Sequence, residues 1–69
     1  MTLEQARISA ALTISELARL SGISRTTIEK MERGKEPVTP VSAQAVCNAL
    51  SQKLGRTLTY QQLGIVVSR

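Results

Sequence analysis

Helix-start patterns recur along this chain and limit it to a predominantly helical fold. The segment Thr2-Leu3-Glu4-Gln5 has the form of a capping box, in which the Thr2 hydroxyl accepts a hydrogen bond from the first turn and the Gln5 side chain reaches back. The same pattern occurs at Thr13 to Glu16 and at Thr59 to Gln62. Each of these places predicts the beginning of a helix.

Two more helices are predicted between the capping boxes. Ser24 and Thr39 are N-cap residues by type, and Pro40 suits the first turn of a helix. Glycines stand where helices would end, at positions 22, 34 and 55. We therefore expect an all-α fold of five helices in a single domain over residues 1–69, with strand-like character only at residues 65–67.

Apolar residues at helical spacing predict the core. The only aromatic residue is Tyr60, so aliphatic side chains must form the core almost alone. The expected core positions, helix by helix, are Leu3, Ala6, Ala10, Ala11 and Leu12; Leu17, Ala18 and Leu20, with Ile23 after them; Ile28 and Met31; and Ala43, Val46, Cys47, Leu50 and Leu54. Leu58 and Leu63 are expected to form a hydrophobic staple at the start of the fifth helix.

Composition excludes several classes of protein. Cys47 is the single cysteine and there is no histidine, so an internal disulfide and the usual zinc sites are excluded. The chain also lacks Asp and a nucleotide-binding glycine loop, so we expect neither an enzyme nor a cofactor or metal. A signal-peptide layout and a membrane-length apolar run are both missing, and a cytoplasmic location is expected.

The charge balance favours a polyanionic partner. Nine Lys and Arg residues against five Glu residues give a net charge of +4. Four of the nine basic residues fall between Arg25 and Lys35. Nucleic acid is the partner that this excess favours, although a similar excess also serves only to keep small proteins dispersed.

Three residues between Thr13 and Gly34 have the spacing of a helix-turn-helix. Ala18 lies where two helices would cross, and a larger side chain there would push them apart. Gly22, four residues later, permits the positive φ of a tight turn, and Ile28, six further, points back between the helices. The alternative is a plain helical hairpin with no role in DNA binding.

From about Leu3 to Leu63 the chain resembles the Cro/C1-type (XRE-like) helix-turn-helix family. The segments that carry the resemblance are Leu12 to Ala18 and Gly22 to Lys35. The resemblance implies a compact, five-helix, lambda-repressor-like DNA-binding domain in which helices two and three, about residues 13–34, form the reading unit. It also implies an ion pair between Arg7 and Glu32.

The third predicted helix, about residues 25–33, is the expected recognition helix. Its buried side should carry Ile28 and Met31, which leaves the opposite side for bases in the major groove. We expect Arg25 to contact guanine O6 and N7, Thr26 to contact a base through its hydroxyl or methyl group, and Lys30 to reach a base one turn further on. The resemblance implies the same three positions.

Other residues of this region are assigned with alternatives. Glu29 either accepts from a cytosine amino group or is only solvated or paired with Arg25 or Arg33. Arg33 and Lys35 either contact phosphate or stabilise the helix C-terminus by their charge. The remaining expected phosphate contacts are Thr13, Ser15, Ser24 and Thr27.

Ile14 departs from the family pattern, which commonly has Gln at this position to brace phosphate and the recognition helix. One anchoring contact is thereby lost. The alternatives for Ile14 are a hydrophobic staple and part of a partner surface.

The predicted function is sequence-specific binding of double-stranded DNA as a repressor-like transcriptional regulator. A symmetric dimer on half-sites about 34 Å apart would give sufficient discrimination. The expected dimer contacts lie in the fifth helix and the tail, residues 64–69, at Tyr60, Leu63, Ile65 and Val67. An apolar tail on so small a domain is otherwise core cover.

Two other functions stay open. The first is an antitoxin or accessory regulator, which binds a protein partner as well as DNA. The second is a protein-interaction module that has kept the fold without DNA binding.

Overall fold

The computed structural model describes residues 1–68 and has four α-helices in this range. They are α1 (Leu3–Ser9), α2 (Ile14–Ser21), α3 (Arg25–Arg33) and α4 (Pro40–Leu54). Arg69, the last residue of the predicted tail and domain, lies outside the described range. None of the helices described has the length and apolar character needed to cross a bilayer.

Four of the five predicted helix starts are confirmed. At α1 the Thr2 Oγ1 accepts from the Gln5 N–H at 3.1 Å and the Gln5 Oε1 accepts from the Thr2 N–H at 2.9 Å. The same reciprocal pair begins α2 at Thr13 and Glu16. Ser24 and Thr39 cap α3 and α4, and the three predicted glycines follow α2, α3 and α4 in the left-handed conformation.

The fifth helix predicted from the sequence is wrong, because the segment forms a single turn. The Thr59–Gln62 capping box is present, and the Leu63 N–H donates to the Thr59 carbonyl at 3.3 Å. The next two residues already make end-type bonds: the Gly64 N–H donates to Gln61 O and the Ile65 N–H donates to Tyr60 O. Gly64 has φ of 70°, so the chain turns away after one turn.

The end of α1 also differs from the expectation. Ala11 was predicted to continue the apolar stripe, but it is exposed and has φ of 58°, outside the helix. The Ala11 N–H donates to Ile8 O at 2.9 Å and the Leu12 N–H donates to Arg7 O at 3.2 Å. This is the bond pattern of a Schellman end, with alanine in the place that glycine usually takes.

The core lies between the four helices and is aliphatic. Its fully buried large side chains are Leu3, Leu17, Ile28, Val46, Cys47 and Leu50. Burial raises the pKa of the Cys47 thiol to about 11, which fits its predicted place as a small core residue.

The predicted burial of Leu20 is wrong, because this side chain is 56% exposed. The inner face of α2 is formed by Leu17 with the half-buried Ile14, Ala18 and Ser21. On a helix with 3.6 residues per turn, Leu20 lies roughly 110° from the centre of that face. It therefore borders a shallow cleft beside Ala49 and Lys53.

The C-terminal segment covers the core. Leu58, Leu63 and Ile65 are buried, and Tyr60 and Val67 pack partly buried against them. Val67 forms a parallel bridge with Val38, in which the Val38 N–H donates to Val66 O at 3.0 Å and the Ser68 N–H donates to Val38 O at 2.8 Å. We call this pairing the tail ladder.

The tail ladder corrects part of the predicted dimer surface. Leu63 and Ile65 are only 2% and 6% exposed within one chain, so these two side chains serve as core cover and not as an exposed contact. Tyr60 and Val67 keep partial exposure.

Candidate nucleic-acid interface

α2 and α3 are joined by a tight turn at Gly22. Its φ is 74°, and its N–H donates to the Ala18 carbonyl at 2.9 Å, which ends α2. Ile28 is fully buried, and Ala18 and Ile23 pack partly buried against the same core. The three spaced residues of the sequence motif thus hold two short helices at a fixed angle.

The outer face of α3 is polar and accessible. Ile28 and Met31 are 0% and 2% exposed, so they anchor the inner side. The opposite side carries the predicted base-contacting residues and Arg33: Arg25, Thr26, Glu29, Lys30 and Arg33. All are exposed except Lys30, which is half-buried, and together they span about 140° of the helix circumference.

Lys30 has an acidic neighbour that the sequence did not indicate. Its Nζ lies 3.9 Å from Glu36 Oε2, and the two side chains are 42% and 62% exposed. Glu36 follows the helix in a loop, where no regular spacing relates it to α3. The pair is weak because both side chains are accessible to solvent, but it places a carboxylate beside Lys30, a predicted base-contacting residue.

Glu29, Arg33 and Lys35 are all exposed. Among residues 1–68 the only ion pairs are Arg7–Glu32 and Lys30–Glu36, so the alternative pairing of Glu29 with Arg25 or Arg33 does not occur there. Arg33, the last residue of α3, and Lys35, two residues after it, have no ion-pair partner among residues 1–68, so both charges remain available to phosphate.

Ser24 and Thr27 are bonded to each other at the start of α3. The Ser24 Oγ accepts from the Thr27 N–H at 3.3 Å, and the two hydroxyl oxygens are 2.9 Å apart. One hydroxyl hydrogen is used between them, which leaves the other for an external acceptor such as phosphate.

The start of α2 is partly occupied by its own capping box. The Glu16 N–H donates to Thr13 Oγ1, and the Thr13 N–H donates to Glu16 Oε1. The Ile14 and Ser15 N–H groups have no partner within residues 1–68. The pKa of the Glu16 carboxyl lies below its ordinary value, chiefly because it accepts the Thr13 backbone hydrogen bond. The Glu16 carboxylate thus occupies part of the place where a phosphate was expected. The Ile14 and Ser15 N–H groups remain available to a phosphate.

Ile14 packs half-buried against the core. It is the first residue of α2 and so stands at neither the N′ nor the N4 position, which corrects its interpretation as a hydrophobic staple. It also borders a cleft of about 410 Å³ between the start of α2 and α3. The charged side chains lining this cleft are Glu4, Glu29, Glu32 and Arg33. An isoleucine offers no hydrogen bond to phosphate, so this position does not supply the anchor that glutamine provides in the family.

The implied pair of Arg7 and Glu32 is confirmed. The Arg7 Nε donates to Glu32 Oε2 at 2.6 Å, and the Arg7 Nη1 donates to the Leu12 carbonyl at 2.9 Å. The two side chains are only 14% and 11% exposed. The hydrogen bond to Glu32 raises the pKa of Arg7, and the pair fixes α3 against α1.

Comparison with known proteins gives one match. A family model described as helix-turn-helix matches residues 3–61, a range that contains all four helices and the Gly22 turn. No curated protein and no solved structure matches the chain.

Proposed function

Because the chain belongs to the Cro/C1-type helix-turn-helix family, we propose that it is a transcriptional regulator that binds double-stranded DNA at a specific sequence. The observation that carries this proposal is the polar outer face of α3, held out from the core by Ile28 and Met31. An α-helix with this arrangement fits the major groove, where every base pair presents a distinct pattern of donors and acceptors.

Three residues are the proposed base readers. Arg25 and Thr26 lie in the first turn of α3, the part of a recognition helix that meets base edges. Lys30 follows one turn later, and Glu29 is the candidate for a cytosine amino group. The proposed phosphate contacts flank them: Thr13, Ser15, Ser24, Thr27, Arg33 and Lys35.

A repressor-like homodimer is the proposed working unit. The longest extent of the domain is 28 Å, which is shorter than the repeat of about 34 Å between half-sites on one face of DNA. One domain therefore reads a single half-site, and two copies are needed to read a symmetric operator.

The test is selection of bound duplexes from a random pool, followed by titration of variants against the selected site. We expect Arg25→Ala and Lys30→Ala to lower affinity for the selected site and to relax preference at one base pair each, by about 1–3 kcal/mol. Lys35→Ala should weaken binding to all duplexes alike and lower the salt slope by about 0.9.

Arg56→Ala is the matched control, because this exposed cation follows α4 and borders a cleft whose other residues, Met1, Leu58, Gln62 and Leu63, are not proposed DNA contacts. Its effect on the specific titration should be small. Affinity that is insensitive to both Arg25→Ala and Lys30→Ala would contradict base reading by α3 and favour a protein-interaction module.

A further inference from the structure

Glu36 is the acidic partner of Lys30, and the proposed function gives it no role. The Lys30 Nζ lies 3.9 Å from Glu36 Oε2, which is a charge contact but is longer than a hydrogen bond. The N–H donors of the Lys30 ammonium therefore stay available to an external acceptor. Both side chains are accessible, so both meet DNA that approaches the outer face of α3.

The chain fixes the position of Glu36 from both sides. Gly34 ends α3, and its N–H donates to the Lys30 carbonyl at 3.1 Å. Pro37 follows Glu36 directly, and a proline restricts the backbone of the residue before it to extended conformations. Val38 is buried and bonded into the tail ladder. Glu36 therefore lies in a short connection whose two ends are held in place.

The cleft that Lys30 borders carries no other charge. Its other lining residues bear hydroxyl groups or are apolar: Thr27, Pro37, Val38, Thr39, Ser42 and Ser68. Among residues 1–68, Glu36 supplies the only carboxylate in ion-pair contact with the Lys30 ammonium. Glu36 is therefore the group beside Lys30 that an incoming acceptor meets.

We propose that Glu36 is a specificity-determining residue, which directs Lys30 to a base edge and away from phosphate. This inference rests on the proposed function, because it takes Lys30 as a base reader. A guanine edge offers the acceptors O6 and N7 and has no net charge. The Lys30 ammonium can donate to that edge while Glu36 stays beside it, so the specific complex keeps the ion pair.

A phosphate bound at the same place meets the Glu36 carboxylate. A phosphate oxygen bonded to the Lys30 Nζ at about 3 Å would lie within about 7 Å of that carboxylate. This separation is shorter than the Debye length of about 10 Å at 0.1 M salt, so the two negative charges repel. Nonspecific complexes consist of phosphate contacts, and Glu36 therefore weakens them more than it weakens the specific complex.

The first experiment removes the charge of Glu36 and keeps the shape of its side chain. We expect Glu36→Gln to increase affinity for a random-sequence duplex about threefold relative to affinity for the selected duplex. The factor is small because both partners of the pair are accessible to solvent. The two affinities are measured by fluorescence anisotropy at one salt concentration. An unchanged ratio of the two would overturn the proposal.

The salt dependence is a readout that a merely structural role of Glu36 would not change. Without the Glu36 charge, Lys30 is expected to bind phosphate in the nonspecific complex, and the salt slope on the random duplex should increase by about 0.9. The slope on the selected duplex should stay the same. An equal increase on both duplexes would show that Glu36 repels DNA in general, and would contradict a role in specificity.

Glu4→Gln is the matched control for net charge. Glu4 is an exposed residue of α1 and borders the cleft of Glu29 and Arg33, which does not include Lys30. Its replacement removes the same charge and should leave the ratio of the two affinities unchanged. A ratio lowered equally by Glu4→Gln and Glu36→Gln would overturn the proposal.

A double-mutant cycle tests whether the effect of Glu36 passes through Lys30. In the Lys30→Ala background, Glu36→Gln should no longer change the affinity ratio or the salt slope. A full effect in that background would overturn the proposal.

The parent chain separates this proposal from the proposed function. A parent chain with which no duplex can be selected would overturn sequence-specific DNA binding and the role of Glu36 together. A parent chain that prefers the selected duplex, with the same preference in Glu36→Gln, would overturn the role of Glu36 alone.

Discussion

Among residues 1–68, the most deeply placed charges belong to Arg7 and Glu32. Replacing Arg7 would remove three hydrogen bonds and leave the Glu32 carboxylate without its partner at 11% exposure. We expect Arg7→Ala to lower the free energy of unfolding by about 2 kcal/mol, measured by chemical denaturation. Arg19→Ala, at an exposed residue of α2, should change it by less than about 0.5 kcal/mol. An equal loss of unfolding free energy in Arg7→Ala and Arg19→Ala would show that the ion pair does not stabilise the fold.

Ala11 holds a backbone conformation that favours glycine. A left-handed φ costs an L-residue about 1–2 kcal/mol, and glycine gives back part of that difference through its greater freedom in the unfolded chain. Ala11→Gly should therefore raise the free energy of unfolding by about 0.5–1 kcal/mol. Ala45→Gly, inside α4, should lower it by about 1 kcal/mol. A loss in both variants would contradict the strain at Ala11.

Residues whose conformation depends on near neighbours were predictable from the sequence. Thr2, Thr13, Ser24 and Thr39 cap helices because their hydroxyls bond to amides three positions away. Alanine carries no mark of a left-handed conformation, so the end of α1 at Ala11 was not predictable. The approach of Glu36 to Lys30 depends on a loop path and was missed for the same reason.

At the scale of elements, the capping box of α2 makes that helix sensitive to acid. The Glu16 carboxyl has a folded-state pKa below its ordinary value of 4.5, so the charged form is favoured by folding. This contribution to stability is present above pH 4.5 and is lost as the pH falls through the lower folded value.

Glu16→Gln keeps the side-chain oxygen and removes the charge. We expect the variant to be less stable than the parent chain at pH 7, with a difference that shrinks towards pH 3, as followed by urea denaturation. A difference of the same size at both pH values would contradict an electrostatic role.

The helices α1 to α4 were predictable because each has local start and stop residues and an apolar face. In the segment after Thr59 the same kind of pattern did not predict the structure correctly. It has a capping box, but Gly64 ends it before a second turn can form, and propagation of a helix needs consecutive bonded turns. The tail ladder pairs Val38 with Val67, which are far apart in the sequence, and capping or apolar-spacing patterns do not indicate such a pairing.

The sequence predicted which positions form the candidate DNA interface. The structure adds the carboxylates that compete with DNA for two of them: Glu36 beside Lys30, and Glu16 at the start of α2. Arg25 and Thr26 were recoverable because Ile28 and Met31 fix the inner side of α3. The capping box already implied that Glu16 bonds to the start of α2. Its effect on phosphate binding depends on which backbone amides stay unbonded, and that could be read only from the structure.

For the whole molecule, charge is unevenly distributed along the chain. All five Glu residues occur by position 36, in the same part as the recognition helix, and only Lys53, Arg56 and Arg69 carry charge after it. The proposed interface thus combines four cations with Glu29 and Glu36, and two of those cations, Arg33 and Lys35, are the proposed phosphate contacts.

DNA binding by this domain should therefore depend only moderately on salt. Counterion release gives a slope of about 0.9 per neutralised phosphate, so we expect log K to fall with a slope of about 2 per bound domain. The measurement is a titration of the selected duplex over a range of salt concentrations. A slope of about 6 or more per domain would show phosphate contacts beyond those proposed.

The single thiol of the domain, Cys47, can report on the opening of the core. Cys47 is fully buried in α4 among the core side chains, and its raised pKa keeps it protonated at neutral pH. Alkylation requires an exposed thiolate, so the reagent can act only on molecules whose core has opened. The rate at which the unmodified chain takes up an alkylating reagent will therefore report how readily the core opens, without any engineered label.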